Sequence, residues 1–70
     1  METGTKIRKY RKRSGMTDSE LAKKTYLSPA SICNYEKNRR DPNLLELVSI
    51  AKVLNVRPID LLPDWFLEVM

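Results

Sequence analysis

The residues of this 70-residue sequence that are most numerous among those able to bind a charged partner are lysine and arginine. Residues 1–40 contain eleven of them and four acids, a net charge of +7, whereas residues 41–70 contain two and five acids, a net charge of −3. This asymmetry favours a front surface that faces a polyanion and a rear half that supports it or self-associates. The alternative interpretation of the charge pattern is a solvated basic helix.

Side chains that support catalysis are scarce. The sequence has no histidine and one cysteine, Cys33, so the usual metal-ligand clusters and a histidine-dependent nucleophile cannot be assembled. It also has only two glycines and no glycine-rich loop of the kind that cradles phosphates. We therefore expect a binding protein rather than an enzyme, with no metal and no cofactor.

Composition indicates the fold class and the compartment. Hydrophobic residues make up 41% of the chain, enough for the core of one small domain over residues 1–70. No stretch alternates β-branched with polar residues as a strand would, which predicts an all-α fold. The single cysteine fits a reducing cytosol, and no apolar run approaches the length of a signal peptide or a membrane span. We expect a cytoplasmic protein that does not contact a membrane.

Capping and turn residues divide the chain into five helices. Gly15 and Asn38 are suited to the left-handed conformation that ends a helix. The start signals are two capping boxes and a serine cap followed by proline: Thr17 with Glu20, Asn43 with Glu46, and Ser28-Pro29. The predicted helices run from Thr3 or Thr5 to Arg13, from the cap Thr17 to about Thr25, from Pro29 to Lys37, from Leu44 to Leu54 and from Pro58 to Leu62.

The fourth helix is the most apolar and is expected to lie at the centre of the core. Its predicted inward residues are Leu44, Leu47, Val48, Ile50, Ala51 and Leu54. After Pro63, we expect Asp64 to cap one more turn within an apolar tail over residues 63–70. The tail contains Trp65, Phe66, Val69 and Met70. Two interpretations stay open, since the tail could close the core of the monomer or form a dimer surface.

Two opposite charges lie on predicted inward faces. Arg11 shares its side of the first helix with Ile7 and Tyr10, and Glu36 lies at the edge of the apolar face of the third helix. Neither charge is expected to stay unpaired there. That apolar face consists of Ile32 and Tyr35, and the opposite face presents Ala30, Cys33, Asn34 and Lys37.

The second and third helices, with the tight turn between them, resemble a helix-turn-helix unit over residues 17–37. The wider pattern is similar to the Xre or Cro/cI-type family and runs in register without gaps from about residue 6 to 62. The matching residues are Ile7-Arg8-x-x-Arg11, Gly15-Met16-Thr17, Glu20-Leu21-Ala22, Ser28, Ile32, Tyr35-Glu36, Pro42, Leu47, Ile50-Ala51, Leu54 and Leu61-Leu62.

The resemblance implies a compact five-helix bundle of the lambda-repressor-like type. In this family the third helix is the recognition helix in the major groove and the second lies across the DNA backbone. The residues that match Arg11 and Glu36 form a partly buried ion pair, so the resemblance implies such a pair here. It also implies a sequence-specific transcriptional regulator, expected to be a repressor, whose partner is double-stranded DNA.

Contacts to DNA follow from this resemblance. The amide of Asn34 could pair with the edge of adenine, and Ala30 suits the methyl group of thymine. The expected base-reading residues are Ser28, Ala30, Asn34 and Lys37, and the expected phosphate contacts are Arg13, Ser31, Asn38, Arg39 and Arg40. One such domain buries little surface on DNA, so we expect a homodimer. The candidates for its interface are Val56, Arg57, Pro58, Trp65 and Phe66.

Three residues depart from the family pattern. Asp18 stands where glutamine usually binds a phosphate, Tyr26 replaces the glycine of the turn, and Pro29 replaces a long polar reader. These departures support an alternative function, a protein-interaction module that keeps the fold and no longer reads DNA. An antitoxin or a restriction-modification controller protein would have nearly the same sequence pattern.

Overall fold

Five α-helices and one 3₁₀ helix form the computed structural model, which describes residues 2–69. No β-strand occurs within residues 2–69, and the predicted all-α class is confirmed. In the same part of the chain, no helix is long and apolar enough to cross a bilayer. The α-helices are α1 (Glu2–Arg13), α2 (Asp18–Thr25), α3 (Pro29–Glu36), α4 (Leu44–Leu54) and α5 (Asp64–Glu68), and the 3₁₀ helix spans Pro58–Leu61.

Both predicted capping boxes are present and set the starts of α2 and α4. The Glu20 amide donates to Thr17 Oγ1 at 3.1 Å, and the Thr17 amide donates to Glu20 Oε1 at 3.1 Å. Because the Glu20 carboxylate accepts this N–H, its pKa is lowered. Asn43 and Glu46 exchange the same two bonds at 2.8 and 2.9 Å.

The ends of four helices share one backbone motif. Gly15, Tyr26, Asn38 and Asn55 have φ values of 74°, 60°, 58° and 59°. The amide after each left-handed residue donates to the carbonyl five residues earlier, as in the Schellman motif: Met16 to Arg11, Leu27 to Ala22, Arg39 to Asn34 and Val56 to Ala51. Tyr26 therefore adopts the left-handed conformation, at a cost of about 1 to 2 kcal/mol, and the turn is not reshaped.

The core is built around α3, which packs against α1 on one side and α2 on the other. Leu21 and Ala22 of α2 are buried, and so are Ile32 and Tyr35, the predicted inward residues of α3. The buried hydrophobic residues are Ile7, Leu21, Ala22, Ile32, Tyr35, Leu47, Ile50, Ala51, Leu54 and Leu61. Because α1 and α2 hold α3 along its inner side, its opposite face is left at the surface.

The predicted inward face of α4 was too wide. Leu44 is 74% exposed and Val48 is 41% exposed, and Leu45 beside them is 80% exposed. The helix packs against α2, α1 and the 3₁₀ helix along one side only, so it buries the four residues Leu47, Ile50, Ala51 and Leu54. The apolar content of α4 exceeds what its neighbours can cover.

The predicted fifth helix from Pro58 to Leu62 is a 3₁₀ helix that ends at Leu61. Its hydrogen bonds span three residues, from the Asp60 amide to Arg57 and from the Leu62 amide to Ile59. Leu62 is extended because it precedes Pro63, which disfavours helical backbone at the residue before it. The further turn expected after Pro63 is present as α5, and Met70 of the tail lies outside the described residues.

The first helix begins earlier than predicted, at Glu2, and its first turn packs closely on α3. Thr3 is 4% exposed, and Gly4 is buried against the end of α3. A Cβ atom at Gly4 would lie 1.7 Å from the carbonyl oxygen of Tyr35. Glycine is thus required at position 4 for the close approach of two backbones.

We expect Gly4→Ala to lower the free energy of unfolding by about 2 kcal/mol, because the added methyl group pushes α1 away from α3. Gly15→Ala is the matched control, since a Cβ there meets nothing within 4 Å and adds only left-handed strain, about 1 kcal/mol. Denaturant unfolding measures both losses, and amide NMR spectra locate them. Unchanged amide shifts near Tyr35 in Gly4→Ala would contradict the close approach.

Candidate nucleic-acid interface

A buried guanidinium joins the three helices that form the candidate interface. Arg11 Nε donates to Glu36 Oε2 at 2.6 Å and Nη2 donates to Glu36 Oε1 at 3.0 Å, while Nη1 donates to the Met16 carbonyl at 2.7 Å. The side chains of Arg11 and Glu36 are only 11% and 6% exposed. The hydrogen bond to Glu36 raises the pKa of Arg11. The pair implied by the family resemblance therefore connects α1 to the end of α3.

Asp18 also faces this guanidinium, from the start of α2. Its Oδ1 lies 2.9 Å from Arg11 Nε. The single Nε proton is donated to Glu36, so Asp18 Oδ1 is buried without a hydrogen bond. Arg11 attracts Asp18, but it is already paired with Glu36, so the three groups together carry a net charge of −1. Among the described residues, no group of three or more His, Cys, Asp or Glu side chains is placed to hold a metal.

The outer face of α3 carries the side chains that the sequence assigned to it. Its residues follow the helical spacing of three and four, so they form one continuous stripe opposite the buried Ile32 and Tyr35. Ala30 and Lys37 are exposed, and Cys33 and Asn34 are half-buried. The structure therefore brings three of the four predicted base-reading residues, Ala30, Asn34 and Lys37, onto a single surface.

The fourth, Ser28, lies at the start of this stripe as the N-cap of α3. Its hydroxyl accepts the Ser31 amide at 3.1 Å, and the two serine hydroxyls are 3.0 Å apart. Each hydroxyl has one proton, and their mutual bond uses one of the two. The pair thus retains one O–H that could donate to another group.

The loop after α3 is fixed to the end of that helix. The amides of Arg39 and Arg40 donate to the Asn34 carbonyl at 2.9 and 3.4 Å, and the Arg40 guanidinium lies 5.8 Å from the centre of the Tyr35 ring. Asn38 donates weakly to Thr5 Oγ1 at 3.4 Å. Both arginines are exposed, so the loop presents two positive charges next to the end of α3.

The arginine of α1 that accompanies the α3 stripe is Arg8, which the sequence analysis missed. Arg8 lines a groove of about 140 Å³ whose other residues are Arg11, Asp18, Cys33, Glu36 and Lys37. The predicted contact Arg13 instead lies 6.0 Å from the Tyr10 ring and lines a groove at the end of α4. Spacing could have found Arg8, because it precedes Arg11 by three residues and therefore shares its side of the helix.

The residues assigned to self-association lie on the side of the 3₁₀ helix and α5. Val56 packs against the core, Pro58 is exposed, and Arg57 pairs with Asp60 at 3.2 Å. Trp65 is 52% exposed and meets the half-buried Phe66 edge-on at 6.1 Å between ring centres. Neither ring belongs to the apolar residues packed against the core.

The fold and the exposed stripe define a class of protein. Helix α2, the turn over residues 26–28 and helix α3 form a helix-turn-helix unit whose second helix presents a polar outer face beside a basic loop. The chain matches the family model described as helix-turn-helix across residues 7–61 and belongs to that family. This confirms the assignment to Xre and Cro/cI-type proteins made from the sequence.

Curated relatives agree with this family. An uncharacterized HTH-type transcriptional regulator of Archaeoglobus fulgidus is 42% identical over 57 residues, which are 81% of this chain and 81% of that protein. The HTH-type transcriptional regulator ImmR of Bacillus subtilis is 30% identical over 56 residues. That match covers 80% of this chain but only 44% of ImmR, so the chain spans less than half of that relative.

Solved structures agree as well. The P22 c2 repressor in complex with a synthetic operator is 29% identical, with a TM-score of 0.84 over 89% of this chain and 94% of that one. SinR, a master regulator for biofilm formation solved in complex with DNA, is 32% identical, with a TM-score of 0.82 over 87% of this chain and 98% of that one. The chain is a DNA-binding transcriptional regulator of the helix-turn-helix family, not an enzyme.

We expect Arg11→Met to lower the free energy of unfolding by about 3 kcal/mol, because Glu36 would be left buried without a counter-ion. The double variant with Glu36→Leu should lose less than the sum of the two single variants. Asp18→Asn is the control, since it keeps the bonds between Arg11 and Glu36 and should cost far less. Strictly additive losses in thermal or denaturant unfolding would mean that the pair does not couple α1 to α3.

Proposed function

We propose that the protein is a repressor that reads a specific DNA sequence with α3 in the major groove, while α2 lies across the backbone. The observation that carries this proposal is the α3 stripe of Ala30, Cys33, Asn34 and Lys37 next to an exposed basic loop. A major groove admits one α-helix and displays a distinct pattern of donors and acceptors for each base pair. The stripe offers a small apolar residue, an amide and an ammonium group to that pattern.

Asn34 is the principal reader in this proposal. Its side-chain amide can donate to adenine N7 and accept from the adenine N6 amino group at the same time. Ala30 contacts the methyl group of thymine, and Lys37 donates to guanine or to a phosphate. The single free hydroxyl proton of the Ser28 and Ser31 pair donates to a base or to a phosphate.

Phosphate contacts supply the affinity in this proposal. Arg39, Arg40 and Asn38, all in the loop after α3, contact phosphates of one DNA strand. Arg8 adds a contact from α1, because it lies in the same groove as Lys37. Arg13 would need a contact outside the α3 stripe, since it lies beside Tyr10 at the end of α1.

A homodimer completes the proposal, because one domain of this size buries little surface on DNA. Its interface would use Val56, Arg57 and Pro58 with the exposed ring of Trp65 and the half-buried ring of Phe66. The support is the groove of about 360 Å³ that Val56 lines, together with the rings left outside the core. Lys6 holds the Leu62 carbonyl and Asp64 at 2.7 Å each, so α5 is anchored to α1 and its rings have a set position.

The interaction-module alternative loses two of its three supports. Asp18 has a structural role beside Arg11, and Pro29 occupies the first position of α3, where proline is favoured. Neither residue therefore implies that DNA reading has been lost. The third residue, Tyr26, lies outside the α3 stripe and does not bear on base reading.

We expect Asn34→Ala to weaken binding to the selected site by about 1 to 3 kcal/mol and to relax the preference at one base pair in each half-site. Binding to random DNA should barely change. The half-sites should be inverted repeats centred about 34 Å apart. Cys33→Ala, on the same stripe, is the control and should leave the preference unchanged. Site selection from random DNA, followed by anisotropy titrations, measures both effects, and an asymmetric site with an unaffected Asn34→Ala variant would exclude this docking mode.

We expect Arg39→Ala and Arg40→Ala to weaken binding to selected and random DNA alike, because both side chains contact phosphate. In a plot of log K against log salt, each variant should lose about 1 from the slope. Lys52→Ala, on the outer face of α4, removes the same charge elsewhere and should leave the slope unchanged. If all three variants keep the parent slope, the loop does not bind phosphate.

A further inference from the structure

A third groove lies between α2 and α4, apart from the residues assigned to DNA. It has a volume of about 210 Å³ and is lined by Lys24, Thr25 and Tyr26 from the end of α2 and by Ser49, Lys52 and Val53 from α4. None of these six residues belongs to the α3 stripe, the basic loop or the candidate dimer surface. We call it the α2/α4 groove.

Tyr26 is the unusual residue of this groove. Its side chain is 96% exposed although its backbone is left-handed. The Schellman motif requires that backbone conformation, and its other three positions hold Gly15, Asn38 and Asn55, which tolerate it better. Tyrosine at position 26 is therefore explained neither by the backbone nor by burial in the monomer. Exposed aromatic rings of this kind are enriched at binding surfaces.

Apolar side chains continue from the groove along α4. Leu45 is 80% exposed and lies one turn before Ser49, and Val48 is 41% exposed and lies one turn before Lys52. These two side chains add exposed apolar surface on α4 near the groove, whereas Val53 within the groove is half-buried and packs against the core. Contiguous exposed apolar surface on a soluble protein marks interaction sites.

The charge of the groove indicates what could cover it. Lys24 and Lys52 line it, and none of its six lining residues is acidic. The nearest carboxylate on α2 belongs to Glu20, one turn before Lys24; its pKa is lowered by the bond from the Thr17 amide and also by the charge of Lys24, so it meets part of that charge from the side of α2. A complementary surface would therefore combine carboxylates with a large apolar side chain.

We propose that the α2/α4 groove is a docking site for an acidic amphipathic segment of a partner protein. An aromatic or large aliphatic side chain of the segment packs between Tyr26 and Val53, and its carboxylates pair with Lys24 and Lys52. A nucleic-acid duplex would engage the two lysines but would leave Tyr26 and Leu45 uncovered, because its backbone is bound by charge and hydrogen-bond donors. A partner docked here covers none of the α3 stripe, so the regulator could hold it while bound to DNA.

A selection from random short peptides displayed on phage tests the proposal, with the full chain as bait and Tyr26→Asn for counter-selection. Asparagine accepts the left-handed backbone, so this variant removes the ring and keeps the turn. We expect enriched peptides that combine Asp or Glu with an aromatic or large aliphatic residue. Enrichment of peptides without acids, or of peptides that bind Tyr26→Asn equally well, would overturn the proposal.

Affinities of an enriched peptide for single variants sharpen the test. Tyr26→Asn should weaken binding about tenfold or more, while its melting temperature rises by about 4 °C because strain is removed. Tyr26→Phe keeps the ring and should bind as the parent does. Lys24→Gln and Lys52→Gln should each weaken binding several-fold at low salt, whereas Lys23→Gln, on the same helix and outside the groove, should not.

Two results would assign the peptide or the groove elsewhere and overturn the proposal. In the first, peptide-induced amide shifts fall on Ala30, Asn34 and Lys37, so the acidic peptide imitates DNA on the α3 stripe. In the second, Lys24→Gln and Lys52→Gln weaken DNA binding and leave the peptide affinity unchanged, so the groove contacts nucleic acid. Shifts confined to the six lining residues, with unchanged DNA affinity of these variants, support a protein partner.

Discussion

The guanidinium of Arg11 is the group on which the geometry of the interface depends. It donates to Glu36 at the end of α3, to the Met16 carbonyl before α2, and lies against Asp18 at the start of α2. A buried charge is tolerated only when it is paired, so these contacts have to form together. The relative placement of α2 and α3 follows from them, and with it the surface that the helix-turn-helix unit presents.

Close backbone packing adds a second constraint on α3. Gly4 brings α1 against the Tyr35 carbonyl, and the Asn34 carbonyl accepts the amides of the loop that follows. Helix α3 is short, with only eight residues, and a helix of that length is marginal without tertiary contacts. These contacts at its C-terminal end and the Ser28 cap at its start hold it in place while its outer stripe stays free, which allows base contacts without loss of the fold.

Local signals made most helices predictable from the sequence, and long-range contacts explain the errors. The capping boxes, Ser28-Pro29 and the left-handed Asn38 act through bonds within a few residues, so their residue types suffice to place them. The exposure of Leu44 and Val48 depends on how far α2 reaches along α4, which periodicity does not contain. Arg8 could have been found from its spacing to Arg11, whereas the placement of Arg13 beside Tyr10 follows from the packing of α1, and both phosphate contacts stay predictions. Pro63 did contain the signal that shortens the 3₁₀ helix, through its effect on Leu62.

The four Schellman motifs show which left-handed residue the backbone favours and which one it does not explain. All four need a left-handed residue, and glycine or asparagine meets that need at positions 15, 38 and 55 with little strain. At Tyr26 the same backbone carries a ring that the monomer leaves almost wholly exposed. Folding alone would favour glycine there, as the family pattern does. A side chain that costs stability and buries nothing is explained by an interaction outside the core. The lysines and apolar side chains beside Tyr26 form the surface where we infer that interaction.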